Sequence, residues 1–188
     1  MNKSLCRTRV ASLLGSIILL SGCAQNGVTH TSRAAILTKL PGRYSGPATI
    51  ERVIDGDTVE LTTGDRVRYL GIDTPETVDP RKAIQCFGHQ ASEKNRRLVE
   101  GKEVRLVADV EDRDAYNRFL RYVYQGDTFV NLELVSQGYA YAYPYPPNVA
   151  HEADFQAAQT EARAANRGLW AGCSTNDIAP HLKRPQTN

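Results

Sequence analysis

The strongest constraint on the fold of this chain is a pair of closely spaced aspartate–glycine turns, Asp55-Gly56-Asp57 and Gly64-Asp65. Glycine and aspartate tolerate the positive φ values that tight hairpin turns require, so each marks a chain reversal. The flanking runs Ala48–Ile54, Thr58–Thr63 and Arg66–Ile72 are rich in β-branched and aromatic residues, and they read as three consecutive antiparallel strands. Glu103–Ala108 and Arg118–Tyr124 supply two more. Helix signals fall between and after them. Phe87–Glu100 ends at Gly101, Val130–Gln137 ends at Gly138, and His151–Asn166 is followed by Gly168. The order β-β-β-α-β-β-α-α predicts a mainly β architecture with about three helices, the five-stranded barrel of the OB-fold.

The ends of the chain carry other information. Lys3, Arg7 and Arg9 precede a short apolar run, Val10–Leu20, which falls well below the roughly 20 residues of a membrane-spanning helix. It closes on Leu20-Ser21-Gly22-Cys23, which resembles a bacterial lipobox, where cleavage precedes a lipidated cysteine. Several acyl chains on Cys23 would make a stable anchor, at about 0.8 kcal/mol per buried methylene. Ala24 follows, and the absence of Asp there points to the outer membrane in a two-membrane bacterium. The expected organisation of the 188 residues is a signal segment over 1–22, a lipidated Cys23 and polar tether over 23–46, one globular domain over 47–173 and a loose tail over 174–188. The expected location is therefore the bacterial cell envelope.

This processing changes the charge and the cysteine count. The full chain has a formal net charge of +2, but loss of Lys3, Arg7 and Arg9 leaves 20 basic residues against 21 acidic ones. Bulk basicity is absent, so any anion-binding surface must be local. Cys6 departs with the signal and Cys23 takes the lipid, which leaves Cys86 and Cys173. In an oxidising compartment these are expected to form a disulfide, two free thiols being the alternative.

Three clusters carry the chemistry: Asp55-Gly56-Asp57-Thr58, then Arg68 to Thr77, then Arg113 to Arg118. If Gly64 and Asp65 form a two-residue loop, Asp57 falls opposite Ile72, beside Asp73. Two facing carboxylates destabilise a sheet unless a cation lies between them, and a hard divalent ion takes an all-oxygen shell. An ideal pleat places Asp57 and Asp73 on different faces, so the geometry also requires a bend near Gly71. Arg68 and Arg118 offer planar forks that match phosphate oxygens. Glu76, on the stiff Thr74-Pro75-Glu76 turn, could take a proton from water. Each piece alone has a plainer reading, Asp-Gly-Asp as a turn and Arg68 as a surface strand residue; their convergence points to phosphoryl chemistry. Tyr139, Tyr141, Tyr143 and Tyr145, set among Pro144, Pro146 and Pro147, either stack nucleobases or cover core. His89, His151 and His181 have no partner at metal-ligand spacing.

Asp-Gly-Asp-Thr, Arg-x4-Asp-Thr-Pro-Glu-Thr and Asp-x-Tyr-x-Arg together resemble the staphylococcal nuclease (thermonuclease) family. The likeness covers about residues 48–172, including Phe87-Gly88-x2-Ala91-Ser92 and Gly168-Leu169-Trp170. It implies an OB-fold that binds single-stranded or frayed DNA and RNA and hydrolyses them with Ca2+, leaving 3′-phosphate ends, and a monomer is expected. Position by position, it makes Asp57, Asp73 and the Thr74 carbonyl the ion ligands and Asp55 a neighbouring acid. Glu76 would act on the attacking water, Arg68 and Arg118 on the phosphate. Tyr116 would contact nucleotide phosphate, with Tyr143 and Tyr145 on the base side. The prolines around Tyr143 and Tyr145 stiffen that segment and depart from the family pattern. A rival reading, a non-catalytic nucleic-acid-binding barrel, would lack Arg68, Glu76 or Arg118, and all three are present.

Overall fold

The computed structural model describes residues 44–77 and 84–182; residues 1–43, with Cys23 and most of the expected tether, and residues 183–188 lie outside them, while Gly46 at the end of that tether already belongs to the first strand. The elements run β1 (Gly46–Val53), β2 (Thr58–Leu61), β3 (Arg66–Tyr69), β4 (Ile72–Asp73), α1 (Gly88–Val99), β5 (Glu103–Val107), β6 (Phe119–Gln125), β7 (Thr128–Phe129), α2 (Val130–Ser136), β8 (Tyr141–Ala142), α3 (Glu152–Ala164), α4 (Leu169–Gly172) and α5 (Thr175–Leu182). Antiparallel pairs β1–β2, β2–β3, β1–β5 and β5–β6, with the parallel pair β3–β6, close the expected five-stranded barrel. One strand turns the corner. Gly46–Thr49 of β1 pairs with β5, the rest pairs with β2, and the register slips between Ile50 and Arg52. Such a bulge supplies the bend that a small barrel needs to close.

The interior follows from alternation along each strand. Ile50, Val59, Leu61, Val67, Leu106, Phe119 and Val123 are buried at 0–1% exposure inside the barrel. Each such side chain contributes about 1.5–3 kcal/mol on burial. Val99 of α1, Val130 and Leu134 of α2 and Phe155 of α3 join the same core from outside the strands. Among the buried polar groups, Asn131 of α2 has a structural task. Its Oδ1 accepts the Val123 N–H at 2.9 Å, and its Nδ2 donates to the Leu70 carbonyl at 2.9 Å. A helix is thereby tied both to β6 and to the turn that follows β3.

The first hairpin differs from expectation. Thr58 pairs with Arg68 and Glu60 with Arg66, so the loop is Thr62-Thr63-Gly64 rather than Gly64-Asp65. Gly64 takes φ +79°, its N–H reaches the Leu61 carbonyl at 2.8 Å, and the Leu61 N–H reaches Asp65 at 2.9 Å. This is a three-residue loop with glycine in the left-handed region, a common alternative to the two-residue turn. Asp57 consequently faces Tyr69, whose N–H donates to its carbonyl at 2.9 Å, and not Ile72. The chain reaches Asp73 through a separate reversal at Leu70-Gly71. There Gly71 adopts φ +76°, the bend the pleat required.

The helix count and the C-terminus also depart from the reading. Among the described residues two short helices, α4 and α5, follow α3 and add to the three expected. The stretch expected to be loose after residue 174 contains α5, started by a capping pair. The Ser174 hydroxyl donates to the Asp177 carboxylate at 2.6 Å, and the Asp177 N–H reaches the Ser174 hydroxyl at 3.3 Å. Pro180 lies inside this eight-residue helix, where it has no N–H to offer the carbonyl four residues before it. Cys86 and Cys173 are bonded, with Cα atoms 5.9 Å apart, and join the entry of α1 to the start of this C-terminal segment. Closing a loop of 87 residues stabilises by about 4–5 kcal/mol in chain-entropy terms, and usually less in practice.

Gly71 is the position least able to change. A Cβ there would lie 2.2 Å from Phe155 Cε2, in a backbone conformation that L-residues avoid. Gly71→Ala is expected to lower unfolding free energy by about 2–4 kcal/mol. Urea denaturation of the purified variant checks this, and unchanged stability would show that Phe155 moves aside without cost.

Candidate active site

The site begins at the turn between β1 and β2. Asp55 Oδ1 accepts the Asp57 N–H at 3.0 Å, a local loop that sets Asp57 at the mouth of β2. Asp57 is 4% exposed and surrounded by donors. Its Oδ2 accepts from the Thr74 N–H at 2.8 Å and the Thr74 hydroxyl at 3.0 Å and forms an ion pair with Arg68 Nη1 at 2.9 Å, and its Oδ1 accepts from the Thr58 hydroxyl at 3.3 Å. Arg68 then reaches Asp73 Oδ1 through Nη2 at 3.2 Å. The same guanidinium donates to the Tyr69 and Ile72 carbonyls at 3.1 and 3.0 Å, on either side of the Leu70-Gly71 reversal. One fork therefore gathers both acids and clasps the turn that brings them together.

Burial raises the Asp57 carboxyl pKa; Arg68 opposes this, Asp55 and Asp73 reinforce it, and the result is pushed up to about 8. For Arg68, burial works against the charge, and Asp57 and Asp73 outweigh it, so the guanidinium is held above its ordinary value.

Beside this cluster lies a cavity of about 430 Å³ whose lining includes Arg68, Arg118, Tyr116, Tyr143 and Tyr145. Arg118 is aimed from below. Its Nε donates to Asp114 Oδ2 at 2.7 Å, while Asp114 Oδ1 accepts the backbone N–H groups of Tyr116 and Arg118 at 2.9 and 3.0 Å. Arg118 Nη1 approaches the Thr58 hydroxyl at 3.5 Å, which links it to Asp57. Tyr116 is 82% exposed at the rim. Tyr143 hangs from the same reversal as the acids, its N–H donating to the Gly71 carbonyl at 2.8 Å. Tyr145 sits on a loop braced by buried Asn148, which exchanges hydrogen bonds with Glu111 at 2.8 and 3.1 Å.

Glu76 is placed by other means and is not among the residues lining the cavity. Its N–H donates to Gln85 Oε1 at 2.7 Å, its carbonyl accepts the Gln85 N–H at 3.0 Å, and its Oε1 accepts the Thr77 N–H at 2.9 Å. A two-way clamp thus ties the Thr-Pro-Glu turn to the chain entering α1, next to Cys86.

The donor set suits a hard cation. Asp57 and Asp73 meet on one guanidinium, burial and the neighbouring Asp55 and Asp73 disfavour the ionisation of Asp57, and a divalent ion would relieve that repulsion. Among the described residues no three His, Cys, Asp or Glu side chains form a closed cage. An ion here would draw on the two carboxylates, the Thr74 carbonyl and water.

The chain matches the family described as staphylococcal nuclease homologue over residues 66–172. It belongs to the staphylococcal nuclease family. Over 124 residues it is 40% identical to the thermonuclease of Staphylococcus intermedius, across 64% of this chain and 74% of that protein. It is 36% identical over 162 residues to an uncharacterized endonuclease of Haemophilus influenzae, across 83% and 84%. Identity to the SPbeta prophage-derived endonuclease YokF of Bacillus subtilis is 39% over 128 residues, 65% of this chain but 43% of that longer protein.

Within this family member, the structure joins Asp57, Asp73, Thr74, Arg68 and, through Thr58, Arg118. Three contributors were missed in the sequence. Asp114, in the sequence only the first member of Asp-x-Tyr-x-Arg, proves to aim Arg118. Gln85 carried no signal at all. His181, expected to be idle, places Nδ1 3.3 Å from Asp73 Oδ2; the Ser174-x-x-Asp177 capping pattern was the one cue to its helix.

The raised Asp57 pKa predicts a pH dependence of the ion-free protein. The folded form keeps a proton that the unfolded chain releases near 3.8, so stabilisation present below about pH 4 is lost as pH rises towards about 8. Melting temperatures in chelator, wild type minus Asp57→Asn, should fall across that window, and a flat difference would contradict the assignment.

Proposed function

We propose that the protein is a Ca2+-dependent endonuclease that hydrolyses phosphodiester bonds of DNA and RNA, leaves 3′-phosphate ends, and is held at the cell envelope by lipid on Cys23. The observation that carries the catalytic reading is one cavity whose lining includes Arg68, Arg118, Tyr116, Tyr143 and Tyr145, with Arg68 shared between it and the Asp57–Asp73 pair. The relatives named thermonuclease and endonuclease support the same reaction class.

The residues divide the work by charge and shape. Tyr143 and Tyr145 offer ring faces to bases, a sequence-tolerant contact worth about 1–3 kcal/mol per base, which suits single strands. Tyr116, at the rim, meets the phosphate chain. Arg68 and Arg118 hold the phosphoryl oxygens from two sides, and their forks match the negative charge that grows when the phosphorus gains a fifth oxygen. Both are oriented beforehand by acids, Arg68 by Asp57 and Asp73 and Arg118 by Asp114, so little reorganisation is needed during the reaction. Glu76 takes the proton of the attacking water, and the 5′ oxygen leaves. A bound Ca2+ would be held by Asp57, Asp73 and the Thr74 carbonyl, and would supply charge neutralisation at the phosphoryl oxygen.

Labelled single-stranded DNA and RNA, incubated with Ca2+, Mg2+ or chelator, test this reading. Cleavage is expected with Ca2+ alone, with 3′-phosphate ends, and Arg118→Ala or Glu76→Gln should each slow it by about 10²–10³-fold. Undiminished cleavage in chelator, or by Arg118→Ala, would count against it. For the anchor, Cys23→Ala is expected to move the exported protein from the detergent-extracted membrane fraction to the soluble one. An unchanged distribution would exclude lipid on that cysteine.

A further inference from the structure

The family match stops at residue 172, yet the chain continues into α5 and returns to the heart of the site. His181, in the last turn of α5, is 7% exposed and sets Nδ1 3.3 Å from Asp73 Oδ2. An ionised carboxylate can only accept, so the imidazole tautomer that makes this contact carries its hydrogen on Nδ1. Arg68 holds the other oxygen, Oδ1, from the opposite side. The imidazole and the guanidinium thus take different oxygens of the one carboxylate.

The placement of His181 is over-determined. Its ring stacks on Tyr141 at 4.4 Å and 9° between planes, and Tyr141 meets Trp170 of α4 edge-on at 5.6 Å. Tyr141 is the β8 residue that pairs with Asp73 of β4, so the surface that holds the imidazole is hydrogen-bonded to the strand it serves. At its other end α5 starts beside Cys173, bonded to Cys86, which follows the Gln85 that clamps Glu76. His181, Tyr141, Gln85, Cys86 and Asp177 enclose a small cavity of about 220 Å³ between α5 and that segment.

We propose that His181 is a positioning residue for Asp73, donating a hydrogen bond that fixes the carboxylate in its ion-binding orientation, and that α5 is the chain's own device for delivering it. This rests on the Ca2+ reading above. Carboxylates that bind metals are commonly oriented by such outer hydrogen bonds, and losing one costs about 10–100-fold in metal affinity.

Two substitutions separate the donor from the packing. His181→Phe keeps a ring on Tyr141 and removes the N–H; His181→Asn keeps a donor near the Nδ1 position and removes the ring. Calorimetric titration of Ca2+ into each purified protein, with melting temperatures in chelator, reads both effects. The expected result is Ca2+ binding weakened about tenfold or more in His181→Phe and within about threefold of wild type in His181→Asn, with the asparagine variant melting lower in chelator. Wild-type affinity in His181→Phe, or affinity that simply follows the chelated melting temperature, would overturn the proposal and leave the nuclease reading standing. A wild-type protein that binds no Ca2+ would overturn both.

Discussion

The site depends on a single guanidinium. Arg68 holds Asp57 with one nitrogen and Asp73 with the other, and it also donates to the carbonyls on both sides of the Leu70-Gly71 reversal. Two buried acids that repel each other are thereby kept at one point, and the turn that brings the second acid into place is closed by the same side chain. Removing one member of such a buried set leaves the others uncompensated, which is costlier than the loss of any surface pair. A lysine could not substitute, because a single ammonium lacks the planar fork that reaches two carboxylates and two carbonyls together.

The rest of the fold supplies the rigid frame that this fork needs. Asn131 reaches from α2 to the Leu70 carbonyl, Phe155 of α3 fills the space that only a glycine at 71 leaves open, and Tyr143 donates its N–H to the Gly71 carbonyl. Core, the Asp57–Asp73 pair and Tyr143 thus share one reversal of the chain. Arg118 reaches the same point from the far side of the barrel through the parallel contact of β3 with β6. There Arg68 pairs with Leu120, two residues beyond Arg118. Five-stranded closure is what makes neighbours of two arginines far apart in sequence.

The hairpin shows where local reasoning held and where it slipped. Strand identities, the order of elements and the bend at Gly71 were legible, because β-branched alternation and glycine–aspartate turns act over a few residues. The register was not, because Thr62-Thr63-Gly64 and Gly64-Asp65 are both sound turns and only cross-strand packing selects between them. Asp57 and Asp73 still come together, by a different route: Arg68 draws them in after the strand has ended. Glu76 was legible as a residue on a stiff turn, whereas its anchor, Gln85, lies nine residues further on and has no local signature. His181 illustrates the same limit, since a histidine in a proline-containing C-terminal stretch carries no sign that it folds back onto Asp73.

From sequence alone, this chain reads as a small β barrel with phosphate-matching arginines and clustered acids. Those properties follow from residue chemistry and short-range periodicity, which need no knowledge of distant contacts. Only the tertiary structure decided which groups meet: Arg68 between Asp57 and Asp73, Asp114 behind Arg118, and α5 returning a histidine to the site. The physical reason is that hydrogen bonds and ion pairs act over a few ångströms, while the residues that make them lie up to 108 positions apart, as His181 and Asp73 do. Distance along the chain is converted into contact only by barrel closure, helix packing and the Cys86–Cys173 bond.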